Sequence, residues 1–197
     1  MNHGSSSVRF GRKPASIAVI FISLLIAVGQ HYGWFDTLND TVAPSQPGLY
    51  RVTHFTDGDT INVDMNGAVE SIRFIGVDTP ETHKPGTPIQ CYGPEAAAFT
   101  KRLIGDKSVR LQSDPENTNR DRYDRLLRYV YLPDGTLVNQ TIIEEGYGFY
   151  YPYFPFTKSQ EFAAAQGRAQ TAHKGLWSAC HPKPTDAGGY ISNNASD

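Results

Sequence analysis

The chain has 197 residues and a formal net charge of −2, with 39% hydrophobic, 12% aromatic and 19% charged residues. This suits one domain of ordinary size with segments added to it, and it supplies enough apolar material for a core. It excludes a protein that holds nucleic acid through a global basic field. Any polyanion partner has to be gripped by local arginines or through a bound cation.

Residues 1–14 are a short basic region containing Arg9, Arg12 and Lys13, and the apolar run "ASIAVIFISLLIAVG" follows at 15–29. A basic flank before a short greasy stretch reads as a secretory signal peptide or a membrane anchor, here over residues 15–35. The run is shorter than the roughly 20 residues that comfortably span a bilayer. Tyr32, Trp34 and Phe35 suit a membrane interface, while Ala27-Val28-Gly29 suits signal cleavage. A buried core helix is the third reading. As signal or anchor, the segment places the rest of the chain outside the cytoplasm, either membrane-anchored or secreted. Residues 36–48, "DTLNDTVAPSQPG", are polar with two prolines and read as a linker.

Residues 49–55 and 60–65 are short β-type runs. Asn66-Gly67 is a two-residue hairpin signal, and 69–77 follows as a third strand. "YGPEAAAFTKRLI" starts a helix, with Pro94 in its first turn. Residues 108–112 and 127–132 are a fourth and fifth strand, the last closed by the turn "PDG". Helices follow at 137–145, stopped by Gly146, and at 158–173, stopped by Gly175. Asn39-Asp40-Thr41, Asn139-Gln140-Thr141 and Asn194-Ala195-Ser196 are glycosylation sequons if the host glycosylates. Residues 181–197 are poor in apolar side chains and read as a flexible tail. A three-stranded meander, a helix and two more strands predict an α+β chain, mainly β. Its core is a five-stranded OB-fold barrel with helices over one side, spanning residues 49–180.

The two cysteines, Cys91 and Cys180, both follow the apolar run. In an oxidising compartment such a pair reads as a disulfide closing a loop of about 90 residues, worth roughly 4–5 kcal/mol in the chain-entropy picture. Two unpaired buried thiols are the alternative.

Chemistry concentrates in "TDGDTINV" and "VDTPET". Asp59 opens the second strand and Asp78 ends the third. Counted from the Asn66-Gly67 turn they are not opposite one another, so a bulge or strong bend is needed to bring them together. Two aspartates brought together repel unless a proton or a cation lies between them. Hard oxygen donors select Ca²⁺ or Mg²⁺, and outside the cell Ca²⁺ is plentiful. Arg73 interrupts an apolar strand, and Arg125 lies in "RDRYDRLLRYVY". A wet strand face and a surface loop are the plain readings; a two-arginine clamp on a phosphodiester is the functional one. Glu81, beside the acidic loop, can orient or deprotonate a water. The six histidines share no zinc-ligand spacing.

Taken in order, "DGDT", "IRFIGVDTPET", "CYGPEAAAFTK", "DRYDRLLRYVYLPDG" and "GLW" resemble the staphylococcal nuclease (thermonuclease) family over residues 51–177. The resemblance implies an OB-fold barrel with three helices. It implies a Ca²⁺-dependent hydrolase that cleaves DNA and RNA at the 5′ P–O bond and leaves 3′-phosphates. It assigns Asp59, Asp78 and the backbone carbonyl of Thr79 to the Ca²⁺, with Asp57 reaching it through water. Arg73 and Arg125 would hold the scissile phosphate, and Glu81 would be the general base. Arg122, Tyr123, Tyr151 and Tyr153 would bind the nucleotide; packing over the barrel is the alternative for the tyrosines. The chain is expected to act as a monomer, tethered to a membrane if the N-terminal segment is retained. One departure stands near the site: the family usually has glycine where this chain has Asp124, an acid able to draw Arg125 aside or weaken phosphate binding, or to point to solvent and be tolerated. The alternative is a non-catalytic OB-fold module that binds nucleic acid or a protein partner.

Overall fold

A computed structural model describes residues 48–82, 86, 88–186 and 188–196. The predicted signal or anchor and nearly all of the predicted linker lie outside these residues. Among the described residues no helix is long and apolar enough to cross a membrane.

Five strands close into a barrel: β1 (Leu49–Asp57), β2 (Thr60–Met65), β3 (Ala68–Phe74), β5 (Val109–Gln112) and β6 (Leu126–Tyr131). Around the barrel the order is β1-β2-β3-β6-β5, with β3 and β6 parallel and the other neighbours antiparallel. This is the α+β arrangement expected, with helices α1 (Gly93–Ile104), α2 (Val138–Glu144), α3 (Ser159–Thr171) and the short α4 (Leu176–Ala179) around it. Strand alternation turns Ile61, Val63, Ile72 and Phe74 inward, where they pack with Val109, Val130, Ile142 and Phe162, all at most 1% exposed.

The run predicted as one strand over 69–77 is two. β3 stops at Phe74, and β4 (Val77–Asp78) leaves the barrel to pair with β7 (Phe149–Tyr150). The break is at Gly76. Its φ is +71°, and a Cβ there would meet Phe156 at 2.5 Å and Phe162 at 2.9 Å, so only glycine fits the turn. Asn139 braces the same corner from α2. Its amide donates to the carbonyls of Ile75 at 3.0 Å and Arg128 at 3.2 Å, and its Oδ1 accepts Val130 N–H at 2.8 Å. The asparagine of the 139–141 sequon is therefore fully buried and fully bonded in the fold.

Residues read as a flexible tail carry β8 (Lys183–Pro184) and β9 (Tyr190–Ile191) as a small hairpin. Tyr190 meets Phe149 and Trp177, with centroids 6.1 and 5.0 Å away. Composition was a poor guide because a few aromatic contacts and long-range backbone bonds supply the order. Cys91 and Cys180 form the expected disulfide across 89 residues.

Asp114, almost buried after β5, accepts from Glu116 N, Tyr129 O–H at 2.6 Å, Thr157 N at 2.9 Å and the Thr157 hydroxyl. Burial works to raise its carboxyl, but the bonds from Thr157 and Tyr129 outweigh this and hold it below the usual carboxylate range. A depressed folded-state pKa contributes stability above the unfolded-state value, lost as pH falls through the folded value. Asp114→Asn is expected to cost about 2 kcal/mol at neutral pH. In denaturant titrations the gap to wild type should narrow towards pH 3; a gap independent of pH would refute the ionised role. Replacing both cysteines by serine should lower stability by up to about 4–5 kcal/mol. An unchanged Tm would show that the bridge constrains nothing.

Candidate active site

The convergence of Asp59 and Asp78 is achieved by the Gly76 bend, not by a bulge between β2 and β3. Those strands pair without a register shift from Thr60↔Arg73 to Met65↔Ala68. The register sets Arg73 beside the Asp59 end of β2, and Phe74 N–H donates to the Asp59 carbonyl at 2.9 Å. The chain then bends at Gly76 and brings Asp78 back to the same guanidinium.

Arg73 is the hub. Its Nη1 lies 3.0 Å from Asp59 Oδ2 and donates to the Val77 carbonyl at 2.7 Å. Its Nη2 donates to Asp78 Oδ1 at 3.0 Å. Its side chain is only 13% exposed. Burial works against its charge, but Asp59 and Asp78 more than offset this and hold its pKa above the usual arginine value. Nε–H and the second hydrogen of Nη2 are not used by these acceptors, so the guanidinium keeps donors for another anion.

The acids form one cluster. Asp59 Oδ2 also accepts Thr79 N–H at 2.9 Å. Asp57 Oδ1 accepts from Gly58 N at 2.9 Å and the Thr82 hydroxyl at 3.1 Å. Burial, then the charge of Asp59, raises the Asp57 carboxyl above its usual range. Glu81 is close enough for its charge to be felt at Arg73. Its backbone is fixed by Gln90, whose Oε1 accepts Glu81 N–H at 2.8 Å.

Could this corner hold a cation? Among the described residues no three His, Cys, Asp or Glu side chains converge as a cage. The donor set still fits a hard divalent ion. Asp59 and Asp78 carry two negative charges against the single charge of Arg73. Carbonyl and water oxygens would complete the shell of such an ion. The Thr79 hydroxyl, buried here without a hydrogen-bond partner, adds an oxygen with spare acceptor capacity.

A cleft of about 570 Å³ adjoins the cluster, and Arg73, Arg122, Tyr123, Arg125 and Tyr151 line it. All three site arginines named from sequence, the Arg73–Arg125 clamp and Arg122, therefore share one cleft. Tyr151 arrives through β7 and donates its N–H to the Gly76 carbonyl at 3.0 Å. Burial, then Asp78, raises its phenol pKa, so it stays a neutral O–H donor. Arg122 and Arg125 lie over the Tyr123 ring, 4.8 and 5.4 Å from its centroid. Tyr153 does not line the cleft. It packs on Tyr151 with centroids 4.6 Å apart, and its hydroxyl pairs with Thr185 at 2.7 Å.

Asp124 does not displace Arg125. Its side chain is 87% exposed and lies 3.6 Å from Arg120, and its backbone has φ +65°. That left-handed conformation favours glycine, with aspartate among the better substitutes. The residue that holds Arg125 is Asp121. Its Oδ2 takes Arg125 Nε at 2.7 Å and Nη2 at 2.6 Å, and its Oδ1 accepts the backbone N–H groups of Tyr123 and Arg125. Burial would raise this carboxyl, but the Arg125 bonds dominate and lower it. Arg125 Nη1 also reaches the Thr60 hydroxyl at 3.4 Å. Sequence reasoning missed Asp121. Its signal is an acid four residues before the arginine, with Asx-turn spacing to Tyr123.

The family model described as Staphylococcal nuclease homologue matches residues 71–179. The thermonuclease of Staphylococcus hyicus is 44% identical over 132 residues, covering 66% of this chain and 75% of that protein. The thermonuclease of Staphylococcus intermedius is 35% identical over 162 residues, covering 82% and 95%. The endonuclease YncB of Bacillus subtilis (strain 168) is 37% identical over 153 residues, covering 76% and 68%.

Asp121→Ala is expected to release Arg125 and lower kcat/KM on nucleic acid by about 10- to 100-fold. Asp124→Gly should stay within about threefold of wild type, because the exposed pair it removes is weak. The reverse ranking in a nuclease assay would return the arginine's control to Asp124.

Proposed function

The chain belongs to the staphylococcal nuclease family, and from that premise we propose a Ca²⁺-dependent nuclease acting outside the cytoplasm. It hydrolyses phosphodiester bonds of DNA and RNA at the 5′ P–O bond and leaves 3′-phosphates. The observation that carries the reading is the placement of Arg73 and Arg125 on one cleft beside the Asp57, Asp59, Asp78 and Glu81 carboxylates. The named activities of the thermonuclease and endonuclease relatives support the same substrate class.

Ca²⁺ would be held by Asp59, Asp78 and the Thr79 carbonyl, with Asp57 acting through water, and when bound it supplies Lewis-acid polarisation of the phosphodiester. Arg73 and Arg125 bind the oxygens of the scissile phosphate, where negative charge builds as phosphorus becomes five-coordinate. Asp121 keeps the Arg125 guanidinium aimed into the cleft. Glu81 orients a water and takes its proton as the new P–O bond forms, while the bond to the 5′ oxygen breaks and that oxygen leaves with its electron pair and takes a proton from solvent. Tyr123 and Tyr151 offer ring faces to the nucleotide, with Arg122 beside Tyr123. Tyr153 supports Tyr151 from behind.

The disulfide supports an oxidising location, since such bridges persist mainly outside the cytoplasm. The N-terminal apolar run supports export as a secreted or tethered protein, with the enzyme acting as a monomer.

Plasmid and RNA digestion with Ca²⁺, with Mg²⁺ and with chelator tests the reading. Cleavage should vanish in chelator and return with Ca²⁺, and the product ends should accept phosphate removal at the 3′ position. Full activity in excess chelator overturns the metal assignment. Arg125→Ala should lose about 3 kcal/mol of barrier stabilisation, the scale of one charge-stabilising donor. Binding without cleavage under every condition would instead favour the non-catalytic module.

A further inference from the structure

The backbone on both sides of Glu81 is held by one residue from the far end of the following loop. Gln90 Oε1 accepts the Glu81 N–H at 2.8 Å, and the Gln90 N–H donates to the Glu81 carbonyl at 3.0 Å. The Gln90 carbonyl in turn accepts the N–H of Gly93, the first residue of α1, at 3.1 Å. Gly93 packs so closely that a Cβ would stand 2.8 Å from the Glu81 carbonyl oxygen and 3.1 Å from that of Pro80. Glu81 is thus clamped at its N–H, at its carbonyl and from the side.

Gln90 is itself held from behind by the C-terminal segment. Gln90 and Asn194 form an antiparallel bridge. Ala195 N–H donates to the Ile89 carbonyl and Cys91 N–H to the Asn193 carbonyl, each at 2.8 Å. The Ser192 hydroxyl donates to the Cys91 carbonyl at 2.9 Å, and Cys91 is bridged to Cys180. Residues 89–91 therefore lie between Glu81 on one edge and residues 192–195 on the other.

We propose that Gln90 is a positioning residue for Glu81, and that residues 192–195 hold Gln90 in register, making the C-terminal segment part of the support of the hydrolytic site. The proposal rests on the reading of Glu81 as the base that handles water. The physical reason is geometric. A base on a proline-containing loop has to meet a water in line with phosphorus, and a shift of the order of 1 Å costs about 100-fold in rate. A side-chain acceptor capping the base's own amide fixes that loop without touching the carboxylate.

The test is steady-state cleavage of single-stranded DNA at saturating Ca²⁺ by the full chain and its variants, with thermal melts as the folding control. Gln90→Met keeps the length and the backbone bonds but removes the acceptor. It should lower kcat by about 10- to 100-fold and leave KM within about twofold. Gln90→Glu, which keeps an acceptor oxygen, should restore most of the rate. In a Glu81→Gln background, Gln90→Met should add no further loss, because both changes disable one unit. A chain stopped after Ser192 should lose kcat in the same way, and Ala195→Pro, which deletes one N–H of the brace, serves if the shortened chain does not fold. Equal losses in both Glu81 backgrounds, or a Gln90→Met enzyme with full kcat, overturn the positioning role while the base assignment stands. Full kcat in the shortened chain, or in Ala195→Pro if that variant stands in for it, overturns the brace. A Glu81→Gln enzyme with wild-type kcat overturns the base assignment itself, and this proposal with it.

Discussion

Asp59 is a carboxylate with almost no water around it, and the mouth of the barrel is organised by how its charge is met. Leaving such a group unpaired would cost several kcal/mol. The partner is Arg73, itself nearly buried, and the straight β2–β3 register puts the two side by side. Arg73 has donors to spare, so the same guanidinium draws in Asp78 from beyond the Gly76 bend and fixes the Val77 carbonyl between them. One charge requirement of the fold thereby gathers the acids that the proposed chemistry uses. Asp59 and Asp78 set two carboxylates against the single guanidinium of Arg73, so that one positive charge does not offset both.

A second set of polar side chains specifies the loops around this hub, while the apolar core supplies bulk. Asn139 ties α2 to the carbonyl just before the bend. Asp114 ties the end of β5 to Thr157 at the entrance to α3, and Asp121 ties the loop before β6 to Arg125. Each satisfies several backbone or charged donors with one short side chain, which fixes geometry more sharply than packing of interchangeable aliphatic groups. Gln90 works in the same manner on Glu81. The site is thus assembled from strands, strand ends and loops, and the loops that carry Glu81 and Arg125 are each pinned by such a polar contact.

The parts of this plan legible in the sequence are those carried by local pattern. Alternating apolar residues gave the strands, Asn66-Gly67 gave the hairpin, and Pro94 and Gly146 marked helix ends close to where they lie. The acids, both arginines and the cysteine pair were visible as residue types in suggestive places. The bend within "RFIGVD" was not, because an apolar run hides a break unless its glycine is taken as a stop. Asp121 was hidden among the charges of "NRDRYDR", where the spacings to Tyr123 and Arg125 were the clues. Tail order and the Gln90 brace depend on partners some hundred residues away, which no local pattern reports.

The balance of charge also separates an enzyme from a module that only binds. A binding surface for a polyanion gains nothing from Asp57, Asp59, Asp78 and Glu81, since each repels phosphate. Their mutual repulsion is already felt, because Asp59 raises the carboxyl of Asp57 beyond what burial does. Yet the chain sets Asp59 and Asp78 directly beside the arginine that faces the cleft, with Asp57 and Glu81 near enough for their charges to reach it. Such a cluster helps hold a phosphodiester only when a cation turns the acids from repulsive neighbours into ligands. One carboxylate is then left for a water. The acids that would weaken binding alone are those that the proposed hydrolysis uses, and this places the nuclease reading ahead of the binding module.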